Sequence, residues 1–466
     1  MADFKRKNLF QLTWPLFISG VLVAATQVID SIIVSQYSED LMAAVSVANQ
    51  ILAVAYDLSV LFSVGTLVLV AQYLGRNDTK RAEQAATIGI AANAAFSFLV
   101  ALAVIALGPW LVSITQTPAE IADDTLIYIN VIAFAMAMNG FINAANAVLR
   151  GYGHTLELMI IAALGIVTYL GLEYVLIYGA LGVPELGVWG AALSTLIIRI
   201  LSVVTLIIVL AWRLDFSWKI RYGWSHVLRL TGRLFNLSYP SVGNDVAFNL
   251  YQLAILPVIA TLGVGAIQAR SYVFQLTMVL TVIGMVISYG NEVLVGYDRG
   301  DGDNDRARRR AIRIAIGTSI VTTALAAPMY FYADSLMQLF TDEPERYASM
   351  IAEVKAVMLV FLLYQPLQTI AYILFNSLKA VGDVLMPAIY SLAGTWFIGL
   401  PLTYLFVKYW ELSVPGLMYA LVATEGFKAV VMFVRWQRMQ WTRFDVTERP
   451  ADETQEERIE PAAEPA

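Results

Sequence analysis

The feature that most constrains this chain is a succession of long apolar runs, divided by short polar stretches, that fills nearly all of residues 10–436. About 20 residues rising about 1.5 Å each span the ~30 Å hydrocarbon core of a bilayer as a helix. Lipid offers the backbone no hydrogen-bond partners, so each run must satisfy its own peptide groups, and a helix does so. About twelve spans are predicted, at roughly 10–37, 46–73, 84–114, 124–149, 157–180, 187–213, 235–262, 267–297, 309–338, 350–379, 384–408 and 413–436. Composition agrees: 59% of residues are hydrophobic and 14% charged, where a soluble domain carries about 25% charged residues. The chain therefore reads as an all-α integral membrane protein.

The same composition removes several chemistries. With no cysteine there are no disulfides, thiolate metal sites or cysteine nucleophiles. The two histidines, His154 and His226, are expected in loops between spans, which disfavours a buried histidine site. No glycine-rich phosphate loop follows a strand, so no ATP-driven motor and no cofactor are expected. Asp301 to Asp305 resembles the start of a calcium loop, but Arg306 stands where the turn needs glycine. The first run is too long for a signal-peptide core and lacks a small-residue cleavage site.

Lysine and arginine set the orientation. Alternate loops carry Arg76, Lys80 and Arg81; Arg150; Arg213, Lys219, Arg221, Arg229 and Arg233; Arg299 and Arg306 to Arg310; Lys379; and Arg435 to Arg443. The intervening loops hold Glu39, Asp40, Glu120, Asp123, Glu185 and Asp342. Both termini are expected in the cytoplasm of a multi-pass cell-membrane protein.

The chain also repeats itself. Leu12-Thr-Trp-Pro15 recurs as Leu237-Ser-Tyr-Pro240, an offset of 225 residues, which also relates Gln27 to Gln252, Gly65 to Gly290 and Arg81-Ala82 to Arg306-Ala307. Leu149-Arg-Gly-Tyr-Gly153 recurs as Leu378-Lys-Ala-Val-Gly382 at an offset of 229, as does Thr195 at Thr424. Two halves of six spans in the same order imply a parallel repeat about an axis along the membrane normal, with a substrate path between the lobes. The expected organisation is an N-lobe over 1–213, a cytoplasmic linker over 214–234, a C-lobe over 235–436 and a disordered acidic tail over 437–466.

One carboxylate stands out early. Asp30 lies about two thirds along the first span, where an unpaired charge is costly and marks a functional site by default. Further charges fall inside later spans, and a family resemblance orders them.

Ala71-Gln-Tyr-Leu-Gly-Arg-Asn-Asp78, Leu149-Arg-Gly-Tyr-Gly153, Glu173-Tyr-Val-Leu-Ile-Tyr-Gly179 with Leu186-Gly-Val-Trp-Gly-Ala-Ala192, and Gly399-Leu-Pro-Leu-Thr-Tyr404 occur in an order and spacing that resemble the multidrug and toxic compound extrusion (MATE) transporters, over about residues 8–436. The resemblance implies drug efflux driven by inward flow of Na+ or H+. It implies a cation site in the N-lobe with Asp30 on the first-span acid, Glu173 on the fifth-span acid and Thr195 on the sixth-span threonine. Tyr169 falls where the family's asparagine stands, replacing an amide with a phenol. Asp30, Glu173 and Thr195 each lie about 7 or 8 residues from the predicted outer ends of their spans, hence at one depth, ~10–12 Å down. Asp30 and Glu173 would be the metal ligands if the ion is Na+.

Arg199 sits one turn beyond Thr195 and needs an anion, for which Glu173, Asp30 and Glu425 are the candidates. Asp57 and Glu425 near the midplane, Asp245 and Glu292 toward the cytoplasmic side, and Asn249 and Gln252 are candidate path residues. The 225 offset carries Asp30 onto Ile255, so the acid is confined to the N-lobe. The interior reads as acidic with Arg199 as its one cation, which favours cationic amphipathic substrates over the pyrophosphate-bearing lipids of a flippase with the same superfold. An intramembrane aspartyl enzyme would need a second aspartate beside Asp30, and the sequence offers none. The expected protein is a monomeric antiporter, not an enzyme, whose partners are a small amphipathic molecule and membrane lipid but no nucleic acid.

Overall fold

The computed structural model describes residues 7–115, 117–214, 223–337 and 344–447. Helices α1 (Leu9–Tyr37), α2 (Glu39–Leu58), α3 (Leu61–Gly75), α4 (Thr79–Ile114), α5 (Ala119–Gly151), α6 (Thr155–Tyr178) and α7 (Val188–Leu214) form the first half. Helices α8 (Trp224–Ala260), α9 (Val264–Gly300), α10 (Asn304–Phe331), α11 (Ala333–Met337), α12 (Pro344–Ala380), α13 (Leu385–Ala393), α14 (Leu400–Tyr404) and α15 (Ser413–Gln437) form the second. Twelve of the resulting helical segments are long and apolar enough to cross a membrane. The second span is α2 joined to α3. The eleventh combines α13 and α14 with π-helical turns at Gly394–Gly399 and Leu405–Tyr409.

The helices run past the apolar segments that predicted them, because backbone hydrogen bonding continues where the hydrophobic pattern stops. Helix α8 starts at Trp224 rather than near 235, which places His226 in its first turn and not in a loop. His154 does lie between spans, as the N-cap of α6. The expected tail is folded at its start: Gln440–Arg443 form a 3-10 turn, and Trp441 is fully buried in a stack on Trp436 with ring centroids 4.7 Å apart. Lys5, Arg6, Lys219, Arg221, Asp342 and the acidic run from Asp452 lie outside the described residues.

The second span breaks at Ser59 and Val60 for an identifiable reason. The Asn93 amide nitrogen in α4 lies 2.9 Å from the Ser59 carbonyl, 3.0 Å from the Ser63 hydroxyl and 2.7 Å from the Gly140 carbonyl, which share its two N–H donors, while its own oxygen accepts from the Phe62 backbone N–H (2.8 Å). One buried amide thus binds the Ser59 carbonyl and Phe62 N–H at the break and ties them to α5 through Gly140. Beyond it α3 is apolar on all sides, as a helix surrounded by protein must be, and it is buried from Leu61 to Gly75 except at Val64.

The internal repeat is physical as well as textual. Gly65 lies against Leu234 and Ser238, while its counterpart Gly290 lies against Leu9 and Thr13, which are the counterparts of Leu234 and Ser238. A Cβ on Gly75 would stand 2.9 Å from the Gly300 Cα, and a Cβ on Gly300 would stand 2.9 Å from the Gly75 Cα. Glycine at both positions lets α3 and the end of α9 touch backbone to backbone. Hydrogen bonds obey the same relation. Gln72 Nε2 donates to the Ala380 carbonyl (2.7 Å), and its counterpart Tyr297 donates its hydroxyl to the Gly151 carbonyl (2.5 Å). Gly151 and Ala380 are the last residues of α5 and α12, so each half caps an orphan helix-terminal carbonyl of the other. Asp78 and Asp303 cap α4 and α10 alike, accepting from the Arg81 and Arg306 backbone N–H groups at 3.0 and 2.8 Å.

These contacts lie at the face that carries the basic loops, and they seal the two lobes there. The end of the chain crosses the same seam. Arg76 of the first half lies 3.1 Å from Asp445, and Arg299 donates to the Phe444 carbonyl at 2.7 Å.

Candidate functional site

Above the seal the lobes enclose a cavity of about 1420 Å³ lined by both halves. Its N-lobe wall begins with α1 and α6, which pack side by side. Tyr169 and Glu173 are one helical turn apart and share a face of α6. The Tyr169 hydroxyl lies 2.5 Å from Asp30 Oδ1 and 3.0 Å from Glu173 Oε1. A phenol carries one proton and can donate it once. Its second short contact with a carboxyl oxygen is satisfied only if that carboxyl brings a proton of its own. With both contacts satisfied, the three groups would hold one proton more than an ionised carboxylate pair with a neutral phenol.

Glu173 is 1% exposed, so it does not snorkel to the interface, and its Oε2 has no hydrogen-bond partner. Asp30 and Tyr169 are half-buried and line the cavity, which leaves Glu173 behind them as the inner member of the trio. Thr195 lines the cavity too, but its hydroxyl is turned to the Ala191 carbonyl of its own helix at 3.4 Å. As a sodium site the set is therefore thin: two carboxylates with a phenol between them, and a threonine committed elsewhere. A hard cation gathers several oxygen ligands, and among the described residues no cluster of three or more acidic or histidine side chains offers a metal geometry.

The path residues divide. Arg199, Asp245, Glu292 and Glu425 line the cavity, whereas Asp57, Asn249 and Gln252 do not. Asn249 donates instead to Asp57 at 2.5 Å and ties α8 to α2 across the lobes. Gln252 is exposed on the outside of α8. The expected ion pair of Arg199 with Glu173, Asp30 or Glu425 is absent. Glu425 is matched by Lys428 one turn along α15 at 2.9 Å. Asp245 and Glu292, expected toward the cytoplasmic side, face the cavity, and Lys379 Nζ lies 3.1 Å from Glu292.

The interior is not acidic. Asp30, Asp245, Glu292 and Glu425 share the cavity wall with Arg150, Arg199, Lys379 and Lys428. Arg150 and Lys379 were expected in loops because they follow the apolar runs. They remain helical and point into the cavity floor, where the Arg150 guanidinium lies 5.1 Å above the Tyr289 ring of the opposite lobe. Lys428 was legible from its place three residues after Glu425 in an apolar span. Tyr56 and Tyr128, which line the wall beside Arg199, carried no signal, since an aromatic residue in a span is usually packing.

Comparison with known proteins agrees with this architecture. The chain is 28% identical over 438 residues to the uncharacterized transporter YisQ of Bacillus subtilis, covering 94% of this chain and 95% of that one. It is 23% identical over 451 residues to the probable multidrug resistance protein NorM of Thermotoga maritima, covering 95% of each. A solved MATE structure in the straight conformation superposes with a TM-score of 0.82 at 18% identity, over 95% of this chain and 98% of that one. The MatE family profile matches residues 15–175 and again 240–405, one match in each lobe. The chain therefore belongs to the MATE family and is a transporter rather than an enzyme.

Proposed function

We propose that this protein exports amphipathic compounds across the cell membrane in exchange for H+, with Asp30, Tyr169 and Glu173 as the proton site. The observation that carries the reading is the single phenol hydroxyl lying within hydrogen-bond distance of two carboxyl oxygens. Protonated, the trio joins α1 to α6. Without the extra proton, two carboxylates face one donor, and the contact of one of them is lost. Asp30 is the member that meets the cavity, so a proton exchanges with the cavity through Asp30 while Glu173 stays behind it. Proton release and capture thereby alter the α1–α6 contact that forms part of the substrate wall. The NorM relative is named for multidrug resistance, which supports a small-molecule cargo. With the basic-loop face in the cytoplasm, as the distribution of Lys and Arg supports, the sealed seam makes this conformation outward-facing. Alternating access then consists of parting the seam and closing the lobes at the opposite side.

The test is efflux of a fluorescent amphipathic dye from proteoliposomes under an imposed H+ or Na+ gradient. The H+ gradient is expected to drive efflux by the wild type and not by Asp30→Asn, and Tyr169→Phe is expected to lower the coupled rate at least about tenfold. Efflux driven by Na+ alone, or normal coupling in Asp30→Asn, would refute the assignment.

A further inference from the structure

The charges around the cavity are not all matched. Lys379 is held by Glu292 and donates to Asn376 at 2.6 Å, and Lys428 is held by Glu425. Asp30 receives the Tyr169 hydroxyl, and Arg150 rests on Tyr289. Arg199 has none of this. It stands midway along α7 on the cavity wall. Among the described residues no side chain or carbonyl receives a hydrogen bond from it, no carboxylate reaches it as an ion pair, and its Nε is buried. A guanidinium stays ionised in proteins and does not escape the cost of burial by losing its proton. Across the cavity, on α8, Asp245 has no cation within ion-pair distance; the Lys379 ammonium acts on it from farther off, and the Asn244 amide reaches it at a long 3.5 Å. One unmatched cation in the N-lobe thus faces the same space as a C-lobe carboxyl that no cation touches directly.

We propose that Arg199 receives an anionic group of the transported molecule, a carboxylate, phosphate or sulfonate, so that the preferred cargo is a zwitterionic amphiphile. Its planar fork of donors matches such oxyanions two bonds at a time. The cationic end of the cargo meets Asp245, and the apolar body fills the space between. This rests on the export reading above and adds the substrate class to it. It also replaces the cationic preference that an acidic interior would have implied.

The experiment uses two dyes that differ by one methyl ester: rhodamine 110, which carries a free carboxylate, and rhodamine 123, in which that carboxylate is esterified. Equilibrium binding to the purified protein in nanodiscs is followed by fluorescence anisotropy with no ion gradient. The wild type is expected to favour rhodamine 110. Arg199→Gln is expected to lose about tenfold or more on rhodamine 110 and to bind the cationic ester as well or better, since a repelling charge is gone. Arg199→Lys keeps the original preference. The readout is a ratio within one protein, so partial loss of folded material cancels. Equal change for both dyes in Arg199→Gln, or no preference in the wild type, overturns the proposal. A parallel melting experiment separates cargo from counter-ion. If phosphate or chloride stabilises the wild type but not Arg199→Gln while the dye ratio is unchanged, the anion at Arg199 is inorganic and the cargo proposal falls. Because binding needs no gradient, a failure of proton coupling leaves this result standing, and a failure here leaves coupling standing.

Discussion

Two hydrogen bonds across the seam make a quantitative case for how its closed state is held. Gln72 and Tyr297, related by the repeat, cap the last carbonyls of α12 and α5 from the opposite lobe, and both bonds are buried. In Gln72→Leu or Tyr297→Phe the closed seam keeps a buried carbonyl without a donor, whereas in the open state water reaches it. A buried unsatisfied group costs about 1–3 kcal/mol, so each substitution should lower the closed-to-open ratio roughly 5- to 150-fold. The two residues sit where α3 and α9 touch, so their effects should reinforce each other without being strictly additive. The absence of native cysteine allows a clean assay. Spin labels at Lys80→Cys and Asp305→Cys, exposed in the first turns of α4 and α10 and equivalent under the repeat, report the seam by electron–electron distance measurement. The wild type should give one short population, each single variant a mixture, and the double variant mostly the longer distance. An unchanged distribution in the double variant would refute the idea that these caps hold the seam.

Other expectations test the same geometry. Gly300→Val places branched carbons where α3 and α9 meet backbone to backbone, and it should shift the same spin-label pair to the longer distance and reduce transport. Asn93→Leu deprives the Ser59 and Gly140 carbonyls of their donor. It should lower thermal stability by several degrees, on the order of 1–3 kcal/mol, measured by melting in detergent. The chain end offers a pH test outside the membrane. Burial pushes the Asp445 carboxyl up, but its hydrogen bonds from the Thr447 side chain and backbone and the charges of Arg76 and Arg299 outweigh burial and hold it below the usual carboxylate range. A carboxyl depressed in the folded state stabilises fully above its unfolded value of about 3.9 and loses that contribution as pH falls through the lower folded value. Hydrogen exchange over 440–447 should therefore stay protected from pH 8 to about pH 5 and rise only in stronger acid. Asp445→Asn should show faster exchange than the wild type at neutral pH and converge with it in strong acid, where the wild-type carboxyl is itself protonated.

The helical class, the span count and the two-lobe order were written in the local sequence. Apolar runs of membrane length have one way to satisfy their backbones, and a repeat is a property of the string itself. The importance of Asp30 was legible for a related reason, since a carboxylate in an apolar span is conspicuous. The family resemblance also named its companions, Tyr169 and Glu173, but not their contacts. Tyr169 and Glu173 share a face by helical spacing, but only the packing of α6 on α1 brings their oxygens to Asp30. The same packing turns the Thr195 hydroxyl to its own helix.

Charge in the cavity was the point at which sequence reading failed. Arg150 and Lys379 follow the apolar runs and so read as loop residues, yet the helices continue beyond the runs and carry both into the cavity floor. Arg199 read as one half of an ion pair, because a cation inside a span must be answered by something. The sequence determined that a counter-charge is needed. Only the tertiary structure decided that the protein withholds it, because the pairing of a buried charge depends on side-chain distances between helices far apart in the chain, and hydrophobic pattern carries no record of those distances.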